Sequence, residues 1–183
     1  RRAPNHWASL PARGFIRAVQ GTPIVVILMI LYYIVFGNVD VSGIVVAVVG
    51  FSINFAAYVS EMMRTGIEAV DKGQHEAAAL GFNRLQVFTR ITFPQAARHV
   101  LPVFKGEFVS MVKMTSVVGY IAIQDLTKMS DLIRSRTYEA FFPLIATALI
   151  YFSVAYALTH LFSLVEARVD PKRRKRAVKG VVP

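Results

Sequence analysis

Four stretches of this chain, 17–36, 41–63, 100–123 and 141–165, are each about as long and as apolar as one bilayer crossing demands. A segment of ~20 residues spans the ~30 Å of hydrocarbon only as a helix, because lipid offers no partner to an unpaired backbone amide or carbonyl. The sequence therefore predicts an all-α integral membrane bundle with about four spans. Composition agrees: 55% of residues are hydrophobic and the mean hydropathy is +0.48, more apolar surface than a soluble domain of this size covers. There is no Cys, which excludes disulfides and thiolate metal sites and leaves helix packing to hold the fold. The chain opens at Arg1 without a short apolar leader, and it reads as a piece of something longer, truncated at the front.

The formal charge of +10 is segmental rather than spread along one face. Lys and Arg collect in three places: Arg1, Arg2, Arg13 and Arg17 at the front; Arg64, Lys72, Arg84, Arg90 and Arg98 in the insert; and Arg168, Lys172, Arg173, Arg174, Lys175, Arg176 and Lys179 in the tail. The turn near 37–40 carries none, and 124–140 carries only Lys128, Arg134 and Arg136. Because cytoplasmic flanks gather positive charge, both ends and the 64–99 insert are expected in the cytoplasm. The domain plan is a lead-in over 1–16, a membrane domain over 17–166 and a basic tail over 167–183. Anionic headgroups account for such a tail, and nothing in it requires nucleic acid.

Three features interrupt the spans. Gly21-Thr22-Pro23 breaks the first, where a kink is expected and where Gly21 and Pro23 should face protein so that the freed carbonyl is satisfied. Asn54, Tyr58 and Glu61 give the second a polar stripe, since spacings of three and four residues share a helix face. Glu61 reads either as the ion-pair partner of Arg64, three residues on, or as a gating group. Lys105, Glu107 and Lys113 make the third span the least apolar, with Thr115 and Ser116 following. Ionisable groups at membrane depth cost several kcal/mol unless paired or wetted, so this span is expected to line a solute pathway or to pair with a neighbouring helix. Glu107, Lys113, Thr115 and Ser116 are its candidates for lining that pathway.

The insert is long for a connection between helices and is not of low complexity, so it should carry structure of its own. Ala77-Ala78-Ala79-Leu80 favours helix and Gly81 is free to turn the chain. Asn83 can cap a second short helix with an apolar stripe of Leu85, Phe88, Ile91 and Phe93, closed by Pro94. Such a pair presents an apolar edge that either lies in the headgroups or seeks a partner groove.

The order Val19-Gln20-Gly21-Thr22-Pro23, Ala57-Tyr58-Val59-Ser60-Glu61, Gly73-Gln74-His75-Glu76-Ala77-Ala78, Phe93-Pro94-Gln95-Ala96 and Lys113-Met114-Thr115-Ser116 resembles permease subunits of the polar amino acid branch of type I ABC importers, from about Phe15 to Arg174. The resemblance implies that the insert is the coupling loop, docking in a cleft of a separate ABC ATPase, with Glu76, Ala77, Gly81, Arg84, Phe88, Ile91 and Pro94 forming the contact. It also implies a second permease subunit, identical or homologous, and an external substrate-binding protein, separate or carried on the same polypeptide. Two departures stand out. Family members usually place three residues between Glu-Ala-Ala and Gly, whereas only Ala79 and Leu80 intervene here, a difference that turns what precedes by about 100°. Such permeases also carry one more span at the front.

No Gly-x-x-x-x-Gly-Lys-Ser/Thr loop occurs, so ATP and Mg²⁺ are expected on the partner chain, and this subunit should be neither an enzyme nor a cofactor carrier. His75-Glu76 lacks the second His of a zinc-protease helix, Ala79 standing in its place, and His6, His75, His99 and His160 fall at no ligand spacing. The reading from another class is an ion-coupled secondary carrier or channel subunit without an ATPase.

Overall fold

The computed structural model describes residues 6–71 and 81–169, and every described element is a helix. In order these are α1 (His6–Gly21), α2 (Ile24–Ile30) with a π turn over Leu31–Val35, α3 (Gly43–Glu68), α4 (Arg84–Val87), a π turn over Phe88–Thr92, α5 (Phe93–Met114) with a 3₁₀ turn over Thr115–Ile121, α6 (Leu126–Thr137) and α7 (Phe141–Val169). α3 and α7 are each long and apolar enough to cross a bilayer, with a mean hydropathy of 1.9 over the best window. Up to four spans result if each of two bent helix pairs counts as one.

The first apolar segment is not one straight helix. It breaks at Gly21-Thr22-Pro23, and the helices on either side, Leu10–Gly21 and Ile24–Val35, meet at 109°. Pro23 has no amide to continue the ladder, so the Thr22 hydroxyl donates to the Ala18 carbonyl at 2.8 Å, and the Thr22 amide turns to Val19 O at 3.4 Å. The Pro23 carbonyl then starts α2 by accepting from the amides of Val26 and Ile27. Gly21 and Pro23 are exposed, contrary to the expectation that they face protein, because the carbonyls are satisfied locally: Val19 O, freed by Pro23, takes the Thr22 amide, and Ala18 O, freed in turn, takes the Thr22 hydroxyl. The break itself is where the sequence puts it.

Contacts divide the chain into two compact units, Arg1–Tyr58 with Ser110–Ser153, and Val59–Val109 with Val154–Pro183. The first has an apolar centre of Leu28, Ala47, Phe51, Val118 and Ile121, and a smaller cluster of Ile16, Val19 and Ala57. Gly50 lets α2 close on α3: a Cβ there would stand 2.6 Å from Leu28 Cδ2. Small residues at such crossings matter in lipid, where packing rather than water release holds helices together. α6, in the region the sequence reading left between spans, is set by its cap. Asp125 accepts from the amides of Thr127 at 3.1 Å and Lys128 at 3.0 Å, and Tyr138 ends the helix in the left-handed region at φ 57°.

In the second unit the end of α3 packs on the start of α5 through Gly66, whose Cβ, if present, would meet Val100 Cγ2 at 2.3 Å and the Ala96 carbonyl at 3.2 Å. Ala96 is fully buried and Val100 nearly so. α5 meets the end of α7 along a seam of Phe104, Phe108 and Phe162, with ring centroids 5.2–6.2 Å apart.

Candidate functional site

The second half of the insert begins with a reciprocal cap. Asn83 Oδ1 accepts from the Gln86 amide at 2.9 Å, and Gln86 Oε1 accepts from the Asn83 amide at 3.0 Å. Two of the helix's orphan donors are thereby satisfied at once, and Asn83 caps the helix as its sequence position predicts. Beyond the cap, Phe82, Leu85, Phe88 and Phe93 are 44%, 70%, 42% and 46% exposed. Four large apolar side chains in twelve residues make an open ridge that a soluble surface would not keep.

Pro94 does not close this helix, as the sequence reading had it. The helix widens instead into the π turn over Phe88–Thr92 and runs on through α5. A π turn changes which carbonyls seek donors, so a residue without an amide fits directly after it. The extra residue also alters the register. Five positions apart, Phe88 and Phe93 would diverge on an α-helix, yet across the π turn their rings lie 6.0 Å apart. Ile91 is half-buried and so stands back from the ridge, while Gly81 and Pro94 are exposed. Arg84 opens α4. Glu76 and Ala77 lie outside the described residues.

The pathway candidates fall in both units. In the first unit, Asn54 is 5% exposed on α3, Tyr58 is half-buried, Thr115 and Ser116 are half-buried, and Lys113 is exposed. A cavity of about 430 Å³ in this unit is bounded by α3 from Ile44 to Phe55 and by Met111, Thr115 and Val118. Of the candidates only Thr115 lines it, with its hydroxyl already donated to the Val112 carbonyl at 2.7 Å. In the second unit Glu107 is half-buried. Glu61 accepts from Arg64, through Nε at 2.9 Å and through Nη2, while Arg64 Nη1 donates to Glu68. The ion-pair reading of Glu61 thus describes its geometry.

Sequence reasoning missed the partner of Lys105. Its ammonium donates to Glu166 Oε2 at 3.0 Å and to Ser163 Oγ at 3.3 Å, joining α5 to α7. The available signal was the lone acidic residue at the end of the otherwise apolar fourth span. Among the described residues no cluster of His, Asp and Glu is arranged to hold a metal ion.

Residues 2–175 match the family described as binding-protein-dependent transport system inner membrane component. The chain belongs to that family. It is 35% identical to the octopine transport system permease protein OccM of Rhizobium radiobacter over 92% of this chain and 73% of that one. It is 32% identical to the putative glutamine transport system permease protein GlnP of Rickettsia felis over 90% of this chain and 77% of that one. In structure it resembles a crystal structure of an amino acid ABC transporter with histidines, at TM-score 0.77 and 38% identity over 87% of this chain and 75% of that one. The fold is shared with the MetNI methionine ABC transporter, at TM-score 0.74 and 15% identity.

The chain is therefore the membrane-spanning permease subunit of an ABC importer. It is not catalytic: ATP hydrolysis belongs to a separate ATPase, and the family works with ATPase and permease partners. The type I importer resemblance and the all-helical bundle are both upheld, and nothing favours the ion-coupled carrier.

Proposed function

We propose that this subunit carries an amino acid inward across a bacterial inner membrane, driven by an ATPase that grips the ridge at Phe82, Leu85, Phe88 and Phe93. The observation that carries this reading is the ridge's continuity with α5. An exposed apolar edge needs a partner groove, and a rigid helix that leads from the edge into the membrane domain can transmit a push. Glu76, Ala77, Gly81, Arg84, Ile91 and Pro94 complete the contact, with ATP and Mg²⁺ held on the ATPase. Charge segregation supports placing both chain ends and the 64–99 insert in the cytoplasm, with the domain limits at 1–16, 17–166 and 167–183. A second permease subunit, the same or homologous, shares the pathway, and an external binding protein, separate or fused, delivers the solute.

The amino acid class is supported by the relatives named for octopine and glutamine and by the amino acid transporter of similar structure. For the pathway, Asn54 is the strongest candidate: a buried amide offers both donor and acceptor to a zwitterion. Tyr58, Glu61, Glu107, Lys113, Thr115 and Ser116 stand behind it. Leu85→Glu is the direct test of docking. It should leave membrane insertion intact and cut copurification of the ATPase at least about tenfold, since it buries a charge in an apolar contact. Glu76→Lys should do the same, and copurification unchanged in both variants would sink the docking role.

A further inference from the structure

We propose that Lys105 is a positioning residue for transport: with Glu166 it gears α5 to α7, so that a displacement entering at the ATPase-facing ridge turns both helices together. The proposal rests on the docking reading above. Its residues all fall within one compact unit, Val59–Val109 with Val154–Pro183.

The contact has the form of a gear. On α5, Phe104, Lys105 and Phe108 occupy adjacent turns; on α7, Phe162, Ser163 and Glu166 do the same. The rings of Phe104 and Phe108 sit 6.1 and 5.2 Å from that of Phe162. Beside them Lys105 Nζ donates to Glu166 at 3.0 Å and to Ser163 at 3.3 Å, and Ser163 donates in turn to the Thr159 carbonyl at 2.7 Å. Aromatic packing alone tolerates sliding, because its energy changes little with register. A charged pair between named atoms does not.

The energetics favour a mechanical role over a stabilising one. The Lys105 and Glu166 side chains are only 24% and 16% exposed. Drawing two ions this far out of water carries a desolvation cost that their attraction returns only in part, and an apolar pair of similar volume holds two helices at least as well. What the ion pair adds is a fixed register and a penalty for leaving it. Below it, α5 runs without interruption through the π turn to Leu85, roughly 30 Å of helix. Where α3 meets α5, Gly66 packs against Ala96 and Val100, so α5 is held at one level by α3 and at the next by α7.

The test uses the assembled transporter in proteoliposomes, with labelled glutamine, histidine, octopine and nopaline as probes. The readout is solute taken up per ATP hydrolysed, for whichever probe the unmodified complex carries fastest. Lys105→Met and the milder Glu166→Gln should each retain the ATPase on copurification and continue to hydrolyse ATP, while uptake per ATP falls about tenfold, the scale of an ordinary coupling free energy. The exchange variant Lys105→Glu/Glu166→Lys should recover most of the ratio. A residue that served structure alone would lower uptake and hydrolysis in proportion, leaving the ratio unmoved. An unmoved ratio in Glu166→Gln overturns the proposal even if Lys105→Met fails to insert. Failure of the docking reading is seen separately, as ATPase still bound to Leu85→Glu.

Discussion

The two compact units of this permease differ in the polar contacts that tie their helices. Around Leu28 and Ile121 the first is apolar and close-packed, with Gly50 and Ala47 letting backbones approach. Its helices are also joined by hydrogen bonds from neutral donors, Gln20 to the Ala57 carbonyl, Tyr33 to the Tyr120 carbonyl and Tyr151 to Asp125, whereas the second joins α5 to α7 through a charged pair, Lys105 on Glu166 with Ser163, beside a ring seam. In lipid neither unit gains from expelling water, so dispersion summed over many contacts holds both, and the second adds an ion pair strengthened by low dielectric. Diffuse packing gives a scaffold that resists any change, whereas localised bonds give one that resists a particular change. The unit that carries the exposed ridge is the one with the interhelical ion pair.

Three variants probe that contrast. Leu28→Ala, which opens a void at a fully buried position of the first unit, should cost about 2–3 kcal/mol. That is the low end for such a truncation because the lipid reference removes part of the transfer term. Thermal unfolding in detergent would measure it, and a loss under about 0.5 kcal/mol would break the contrast. Asn83→Ala removes one half of the reciprocal cap and should weaken the start of α4 by about 1 kcal/mol, read as faster amide exchange at Leu85 and Gln86 with global unfolding unchanged. The double variant Lys105→Met/Glu166→Leu sharpens the comparison most while moving stability least. Replacing a covered ion pair by apolar groups should leave the melting temperature the same or higher, yet solute carried per ATP should fall.

The helical class, the broken first segment and the Asn83 cap were legible in sequence because each follows from local chemistry: apolar length, a proline without an amide, and a side-chain acceptor before an apolar run. The pairing of Glu61 with Arg64 was legible for the same reason, at a spacing of three residues. Three things were not. The geometry at Pro94 depends on a π turn, a register shift with no composition signal of its own. Lys105 and Glu166 are 61 residues apart, and nothing in one sequence says which pair of spans are neighbours. α6 was passed over because its polar stretch reads as a loop until Asp125 is recognised as its cap.

The widened turn at Phe88–Thr92 also stores one residue of slack for everything below it. Deleting a single residue there would return the rod to ordinary winding with Phe88 and Phe93 four positions apart, still on one side, so Leu85 would keep nearly its present direction. The same deletion in the ordinary α-helical stretch between Phe93 and Lys105 has no such slack and would swing Leu85 about 100° around the axis while leaving every side chain's chemistry as it was. The compass bearing of the plug is thus set by counting, and the grip on the motor should prove far more sensitive to a change of length above the turn than to one within it.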